Sequence, residues 1–452
     1  MRRGRAAGRE GSAREGAGPA GGKRAVSLRY RPLRRLLGLG GLSSFLSVSD
    51  LIGEQQLYYR KGFGLKGEVS AELERAYHSD LVNRVVEGGH RLEVGDLTIR
   101  LAKEFGNCYG VDRAVQYAYE TRRRFPDRRV FLTGELIHNP HVNSEMLAMG
   151  IGFLTGRYQQ DVSYDDLTAE DVVLLPAFGA PTGIMRQLKD RGCILVDTTC
   201  GSVLLVWKTV ERFAKDGFTA IIHGKYYHEE TRATASRALD KDGGAYLIVR
   251  DLAETAFVTD YIRSGGDERA LAERFADAIS PGFDFRRDLV RVGVANQTTM
   301  LMRETEAVEE EFRRAMAERY GEESLDQHFR ALDTICSATQ ERQDAVMELL
   351  ADPPELMIVL GGYNSSNTNN LARICEQAVP TYHIDDSSCI EGSDRIRHKP
   401  VNSDAEIETA NWLPDGPVTV GLTAGASTPN NKVGHTIERL LACRGLQAPV
   451  PV

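Results

Sequence analysis

Arg129-Val-Phe-Leu-Thr-Gly-Glu-Leu-Ile-His-Asn-Pro140 opens as an apolar, β-rich run and breaks into a polar cluster where a strand would stop and a helix begin. The same succession recurs along the chain. Asp171-Val-Val-Leu-Leu, Ile194-Leu-Val, Thr219-Ala-Ile-Ile, Tyr246-Leu-Ile-Val, Val290-Arg-Val-Gly-Val-Ala, Leu356-Met-Ile-Val-Leu and Val418-Thr-Val-Gly-Leu alternate with amphipathic stretches such as 202–215 and 300–320. Alternation of this kind specifies parallel α/β lobes. In such sheets the crevice beyond the carboxyl ends of the strands is the ligand site, so the polar clusters that follow the strands are expected to converge.

Three cysteines end short polar sequences of this sort: Cys108 in Phe105-Gly-Asn-Cys-Tyr-Gly, Cys200 in Asp197-Thr-Thr-Cys-Gly and Cys336 in Asp333-Thr-Ile-Cys-Ser. They stand 92 and 136 residues apart, which excludes a compact zinc finger of closely paired cysteines. One thiolate from each of three lobes would leave one position of a four-coordinate iron cluster open, and an open metal position is where substrate chemistry can happen. Cys193, Cys375, Cys389 and Cys443 lack such a setting and read as ordinary free thiols.

With 452 residues, 42% of them hydrophobic, the chain can bury a large core or two or three packed lobes. Seven cysteines, no secretory signal and no apolar run of transmembrane length point to a reducing compartment and away from a membrane. The net charge of −8 is asymmetric: residues 1–50 carry eleven Lys/Arg against three Asp/Glu. The remainder is strongly acidic, which disfavours nucleic acid as a partner. The Gly-, Ala- and Arg-rich extension at 1–50 reads as disordered, either an organelle transit peptide or a dispensable bacterial tail.

Asn296-Gln-Thr-Thr, Asn364-Ser-Ser-Asn-Thr and Gly425-Ala-Ser-Thr-Pro sit with His138-Asn139-Pro140 at strand-to-helix junctions. Free N–H groups at helix starts, together with Ser, Thr and Asn side chains, favour a phosphorylated ligand. Ser427-Thr428-Pro429 is expected to be an N-cap followed by proline at the first helical position. His138 and His228 can donate to a phosphate, and Glu230 could deliver protons, sharing a face with His228 if that segment is extended. His383, His398 and His435 look like packing or surface residues. Two other readings stay open: a low-pKa cysteine nucleophile with His138 or His228 as base and no metal, and a cluster-bearing redox sensor that reduces nothing.

Eight motifs occur in order: Cys108-Tyr-Gly-Val-Asp-Arg-Ala, Gly134-Glu-Leu-Ile-His-Asn-Pro-His-Val-Asn, Asp197-Thr-Thr-Cys, Ile222-His-Gly-Lys-Tyr-Tyr-His-Glu-Glu-Thr, Asn296-Gln-Thr-Thr, Thr334-Ile-Cys-Ser-Ala-Thr-Gln-Glu-Arg-Gln, Gly361-Gly-Tyr-Asn-Ser-Ser-Asn-Thr and Thr423-Ala-Gly-Ala-Ser-Thr-Pro. Together, over about 59–442, they resemble the 4-hydroxy-3-methylbut-2-enyl diphosphate reductase family, the last enzymes of the non-mevalonate isoprenoid pathway. Pro176-Ala-Phe-Gly-Ala, Arg60-Lys-Gly-Phe-Gly and Glu341-Arg-Gln look like its plant and cyanobacterial branch.

The resemblance implies an α/β fold of three Rossmann-like lobes in a trefoil around a central [4Fe-4S] cluster held by Cys108, Cys200 and Cys336. Expected lobes are 110–199, 200–335 and 336–452, with a segment at 51–109 that packs on the third lobe and brings the first cysteine. It implies reductive removal of the allylic hydroxyl by two electrons and two protons, giving isopentenyl and dimethylallyl diphosphates. His138, His228, Asn296, Ser365, Ser366, Asn367 and Ser427 would bind substrate, Glu230 would donate the proton, and Thr298 would orient it. The implied electron donor is a ferredoxin or flavodoxin. The implied compartment is the bacterial cytoplasm, or the plastid stroma if 1–50 is a transit peptide. Four positions depart from the pattern: Phe178 where many members have histidine, and Asn107, Tyr109 and Gly201 beside two of the cysteines.

Overall fold

The computed structural model describes residues 57–240, 243–332 and 334–448. The basic extension at 1–50 and Asp333 lie outside them. Each expected apolar run is a strand, and the strands form three separate sheets plus a two-stranded ribbon. In the first sheet Tyr58–Tyr59, Ile194–Asp197, Val172–Leu175, Val130–Leu132 and Ile151–Phe153 lie side by side, all parallel. Phe329–Ala331, Val292–Asn296, Thr219–His223 and Tyr246–Val249 make the second, again parallel. The third orders Thr381–Ile384, Leu356–Leu360, Val418–Ala424 and Leu97–Leu101 in parallel, with Arg91–Val94 antiparallel at the edge.

The segment at 51–109 is therefore divided. Its strands at 91–101 complete the third sheet, while Tyr58–Tyr59 pairs with Leu195 and Val196 in the first. The phenol of Tyr58 anchors that pairing by donating to the Asp197 carboxylate.

Both faces of the first sheet are covered, and in the other two Thr219–His223, Val292–Asn296 and Leu356–Leu360 are buried throughout. In the first, Val130, Leu132, Val172, Leu174, Ile194 and Val196 face Val111, Ala114, Val115 and Ala118 of helix Tyr109–Arg124. The alternate residues Phe131, Val173, Leu175 and Leu195 pack on Met185 and Leu188 of helix Thr182–Asp190. Period-two alternation with apolar side chains on both sides is what a fully buried parallel strand requires. Each fully buried aliphatic contributes roughly 1.5–3 kcal/mol. In the second sheet Gly293 is needed for packing, since a Cβ there would lie 2.6 Å from the Phe213 ring. No described helix is long and apolar enough to cross a membrane.

Candidate active site

The expected site residues gather at the carboxyl ends of parallel strands, Asn296 as the last residue of one and the others in the segments that follow. Strand Val130–Leu132 leads to His138, Val172–Leu175 to Phe178, Ile194–Asp197 to Cys200, Thr219–His223 to His228, Val292–Asn296 to Thr298, Leu356–Leu360 to Ser365, and Val418–Ala424 to Ser427. These loops enclose one chamber, with an empty volume of about 700 Å3 including the part open to solvent. Cys108, Cys200, Cys336, His138, His228, Glu230, Thr298, Ser365, Ser366, Asn367 and Ser427 all line it.

Asn296 does not. Its side-chain oxygen accepts from the Thr334 N–H and hydroxyl, so the amide is spent on the turn that leads to Cys336.

All three cysteines are N-cap residues: Cys108 of helix Tyr109–Arg124, Cys200 of Gly201–Lys215, Cys336 of Ser337–Leu350. None spends its side chain on a cap hydrogen bond. Their backbone N–H groups are each tied to a neighbouring loop, Cys108 to Ala426 O (3.0 Å), Cys200 to Ala177 O (2.7 Å) and Cys336 to Thr298 O (3.2 Å). The thiols are free.

Each of the three thiols stands at the positive end of a helix dipole, and burial pushes the Cys108 thiol up. At Gly110 a Cβ would sit 2.6 Å from Cys200 Sγ and 3.8 Å from Cys108 Sγ, so the glycine keeps open the space in which those sulfurs meet. Among the described residues, the sets of three whose ligand atoms close within 4.8 Å of one another are His138–His228–Glu229 and Asp385–Cys389–Glu406. The three chamber cysteines do not form such a set.

Glu230 is 2% exposed and its Oε1 accepts the Thr298 backbone N–H at 2.6 Å. Burial raises its carboxyl pKa to about 7, with the hydrogen bonds from Thr298 pulling the other way. The stretch containing His228 and Glu230 is not extended: a helix starts at Glu229, and His228 caps it by accepting the Glu230 N–H on Nδ1 at 3.2 Å. That bond leaves the His228 proton on Nε2. Desolvation holds the ring well below its ordinary pKa, so it is a neutral donor.

His138 is fixed from three sides. Its Nδ1 faces the Glu135 carboxylate at 3.2 Å, its ring stacks on Phe178 (4.6 Å between centroids, 15° between planes), and its carbonyl accepts from Ser427 Oγ at 3.2 Å. Burial would push Glu135 up, but His138 and Asn364 outweigh it and hold the carboxyl below its ordinary value. Phe178 thus packs its ring on the imidazole and offers the chamber no hydrogen-bond donor of its own. Among the described residues, His138 Nε2 and Asn367 Nδ2 are buried without a hydrogen bond, the nearest carboxylate to Nε2 being that of Glu229 at 3.6 Å. Both residues line the chamber, and such atoms are costly unless a ligand satisfies them.

Ser365 is the N-cap of helix Ser366–Glu376. Ser427 is not a cap; Pro429 occupies that place before helix Asn430–Cys443, and the Ser427 hydroxyl donates to His138 O instead.

Several supporting residues lay in the quoted motifs without an assigned role. Gln297 donates to Ser366 Oγ (3.1 Å) and accepts from Thr231 Oγ1 (3.1 Å), joining second and third lobes. Arg342, 4% exposed, donates to Gly106 O (2.7 Å) and Asn107 O (3.2 Å), stapling the Cys336 helix to the Cys108 loop. Gly362 must be small because a Cβ would meet His138 O at 2.5 Å. Asn107 bonds Asp112 (3.0 Å) in the first turn after Cys108, and Tyr109 is 81% exposed. Nothing in the structure explains Gly201, whose added Cβ would meet open space.

Residues 99–441 match the family described as LytB protein. The 4-hydroxy-3-methylbut-2-enyl diphosphate reductase of Thermosynechococcus vestitus is 49% identical over 390 residues, covering 86% of this chain and 95% of that protein. The one of Gloeobacter violaceus is 49% identical over 394 residues, covering 86% and 93%. A solved structure, the E-1-hydroxy-2-methyl-but-2-enyl-4-diphosphate reductase from Plasmodium falciparum, shares the fold with a TM-score of 0.56 at 19% identity, covering 77% of this chain and 89% of that one.

Proposed function

The chain belongs to the LytB protein family, and we propose from that premise how its chamber works as the site of 4-hydroxy-3-methylbut-2-enyl diphosphate reduction. The reaction is the last step of the non-mevalonate isoprenoid pathway, in which the allylic hydroxyl is removed reductively to give isopentenyl and dimethylallyl diphosphates. The observation that supports this most is the meeting of three helix-capping cysteines and a protonatable buried glutamate on one wall-to-wall cavity.

Cys108, Cys200 and Cys336 would hold a [4Fe-4S] cluster, the free thiols, the helix N-termini and the Gly110 gap all fitting such a group. When bound, the cluster supplies single-electron transfers and a Lewis-acidic iron for the substrate hydroxyl. Glu230 holds the proton that turns the departing hydroxyl into water, and Thr298 fixes its carboxyl through the backbone N–H. His228 Nε2, Asn367 Nδ2 and the Ser365, Ser366 and Ser427 hydroxyls face the diphosphate, with His138 locked beside them by Glu135 and Phe178. Neutral donors dominate this set. Asn296 acts indirectly, by shaping the turn before Cys336.

The electron source is a small one-electron carrier such as a ferredoxin or flavodoxin. The setting is the bacterial cytoplasm, with the plastid stroma as the alternative that an import assay on residues 1–50 would decide.

Anaerobically prepared protein should contain iron and sulfide and should consume the hydroxylated diphosphate with reduced donor. Cys108→Ser, Cys200→Ser and Cys336→Ser should each lose iron, whereas Cys193→Ser, whose thiol donates to Thr168 O at 3.4 Å outside the chamber, should retain it. Iron-free, inactive wild type would overturn the proposal. Equal iron loss in Cys193→Ser would overturn the ligand assignment.

A further inference from the structure

A second, larger cavity adjoins the chamber and shares His138, His228 and Ser366 with it; its empty volume is about 2070 Å3, including the part open to solvent. Its wall carries Arg157, Lys225, Arg250, Arg373 and Lys399. Three of these cations are neutralised locally, Arg157 by Glu135, Arg250 by Asp251 and Glu254, and Arg373 by Glu304. Lys225 and Lys399 are not: among the described residues neither has a carboxylate within ion-pairing distance of its ammonium group.

The remaining acids on the wall are otherwise engaged or outlying. Glu229 faces His138 Nε2 at 3.6 Å, Asp385 accepts from Cys389 Sγ, and Asp404 is exposed.

Lys225 is only partly exposed, and its backbone is pinned, with the N–H donated to Gln297 Oε1 at 3.1 Å. It lies three residues before His228 on the loop that enters the chamber. Its ammonium is lowered from the ordinary lysine value, first by desolvation and then by the charges of Arg373, Lys399 and Arg250. A half-buried ammonium surrounded by like charges is costly unless an anion visits it. The neutral donors of the chamber, by contrast, give little long-range attraction to a charged substrate.

We propose, on the basis of the function assigned above, that this vestibule is an anion-capture site in which Lys225 and Lys399 hold the diphosphate of the incoming substrate before it passes to the His138 and His228 end of the chamber. Attraction and final binding are thereby divided between two sets of residues. Strong cations draw the ligand in, and uncharged donors take it over.

The test uses Lys225→Gln, Lys399→Gln and the double variant, with Lys225→Arg and Lys399→Arg as charge-keeping controls. Inorganic diphosphate is titrated calorimetrically into each at low and high NaCl, and kcat/KM for the hydroxylated diphosphate is followed over the same salt range. The double Gln variant should weaken diphosphate binding and kcat/KM by about tenfold at low salt, with the gap closing as salt screens the field and the Arg variants close to wild type. No change at low salt, or an equal loss at both salts, would overturn the proposal. Because the calorimetry does not depend on turnover, a protein that reduces nothing yet shows this salt-dependent binding would sink the assigned reaction and leave the vestibule site standing.

Discussion

The Thr298 backbone N–H points at Glu230 Oε1 from 2.6 Å, so a carboxyl raised by burial to about 7 is held by a loop of the neighbouring strand, not by its own helix. Since the folded chain binds this proton more tightly than the unfolded chain does, the stabilisation it gives is full below about pH 4.5. It is lost as pH climbs through about 7. Glu230→Gln should abolish turnover, keep its iron, and be more stable than wild type at pH 8 by at most roughly 3 kcal/mol, with the difference fading towards pH 4. Wild-type kcat should fall as pH rises through about 7, because the ionised carboxylate has no proton to give. Denaturation curves at the two pH values and a pH–rate profile check both; an active Gln variant removes Glu230 from the mechanism.

Gly110→Ala places a methyl 2.6 Å from Cys200 Sγ without touching the backbone of that loop. Alanine favours the helix by about 1 kcal/mol, so the melting temperature should hold or rise. Iron content should nonetheless drop below half of wild type, as the sulfur is pushed aside. A variant that keeps full iron would show that this gap has no part in holding the cofactor.

Phe178→Ala removes the ring stacked on His138. Such a contact is worth about 1 kcal/mol, which converts to roughly a fivefold rise in KM and in the dissociation constant for inorganic diphosphate. Phe178→Tyr should preserve both, and an unchanged KM in the Ala variant would mean that Glu135 alone orients the imidazole.

Arg342→Met strips buried donors from Gly106 O, Asn107 O and Ala338 O (2.8 Å). Leaving buried carbonyls unpaired costs about 1–3 kcal/mol each, so a melting temperature lower by several degrees and loss of iron are expected. Arg342→Lys should recover part of the stability, since one ammonium cannot reach two loops as the planar fork does. Thermal melts and iron assays decide it.

The apolar runs announced the strands because a parallel sheet buried on both faces leaves little choice of residue, and the same topology told where the site would gather. Short or half-buried strands were silent. Tyr58–Tyr59 and Thr381–Ile384 owe their conformation to partners far away in sequence, and no local pattern marks them.

Roles within a motif were similarly hidden. Asn296 and Asn367 are both buried amides at a strand-to-helix junction, but one turns its oxygen back to Thr334 while the other leaves its Nδ2 facing the cavity. Ser427 looked like a cap because Pro429 follows it, and the backbone instead starts the helix one residue later than that reading required. Glu135 gained meaning only once His138 was seen to lie over it.

Leu97–Leu101 pairs with Val418–Ala424, and Cys108 takes its backbone position from Ala426. The loop of Cys108 is thus placed by residues more than three hundred positions further on, and until the chain has been extended past Ala426 the three thiols lack the frame that gathers them.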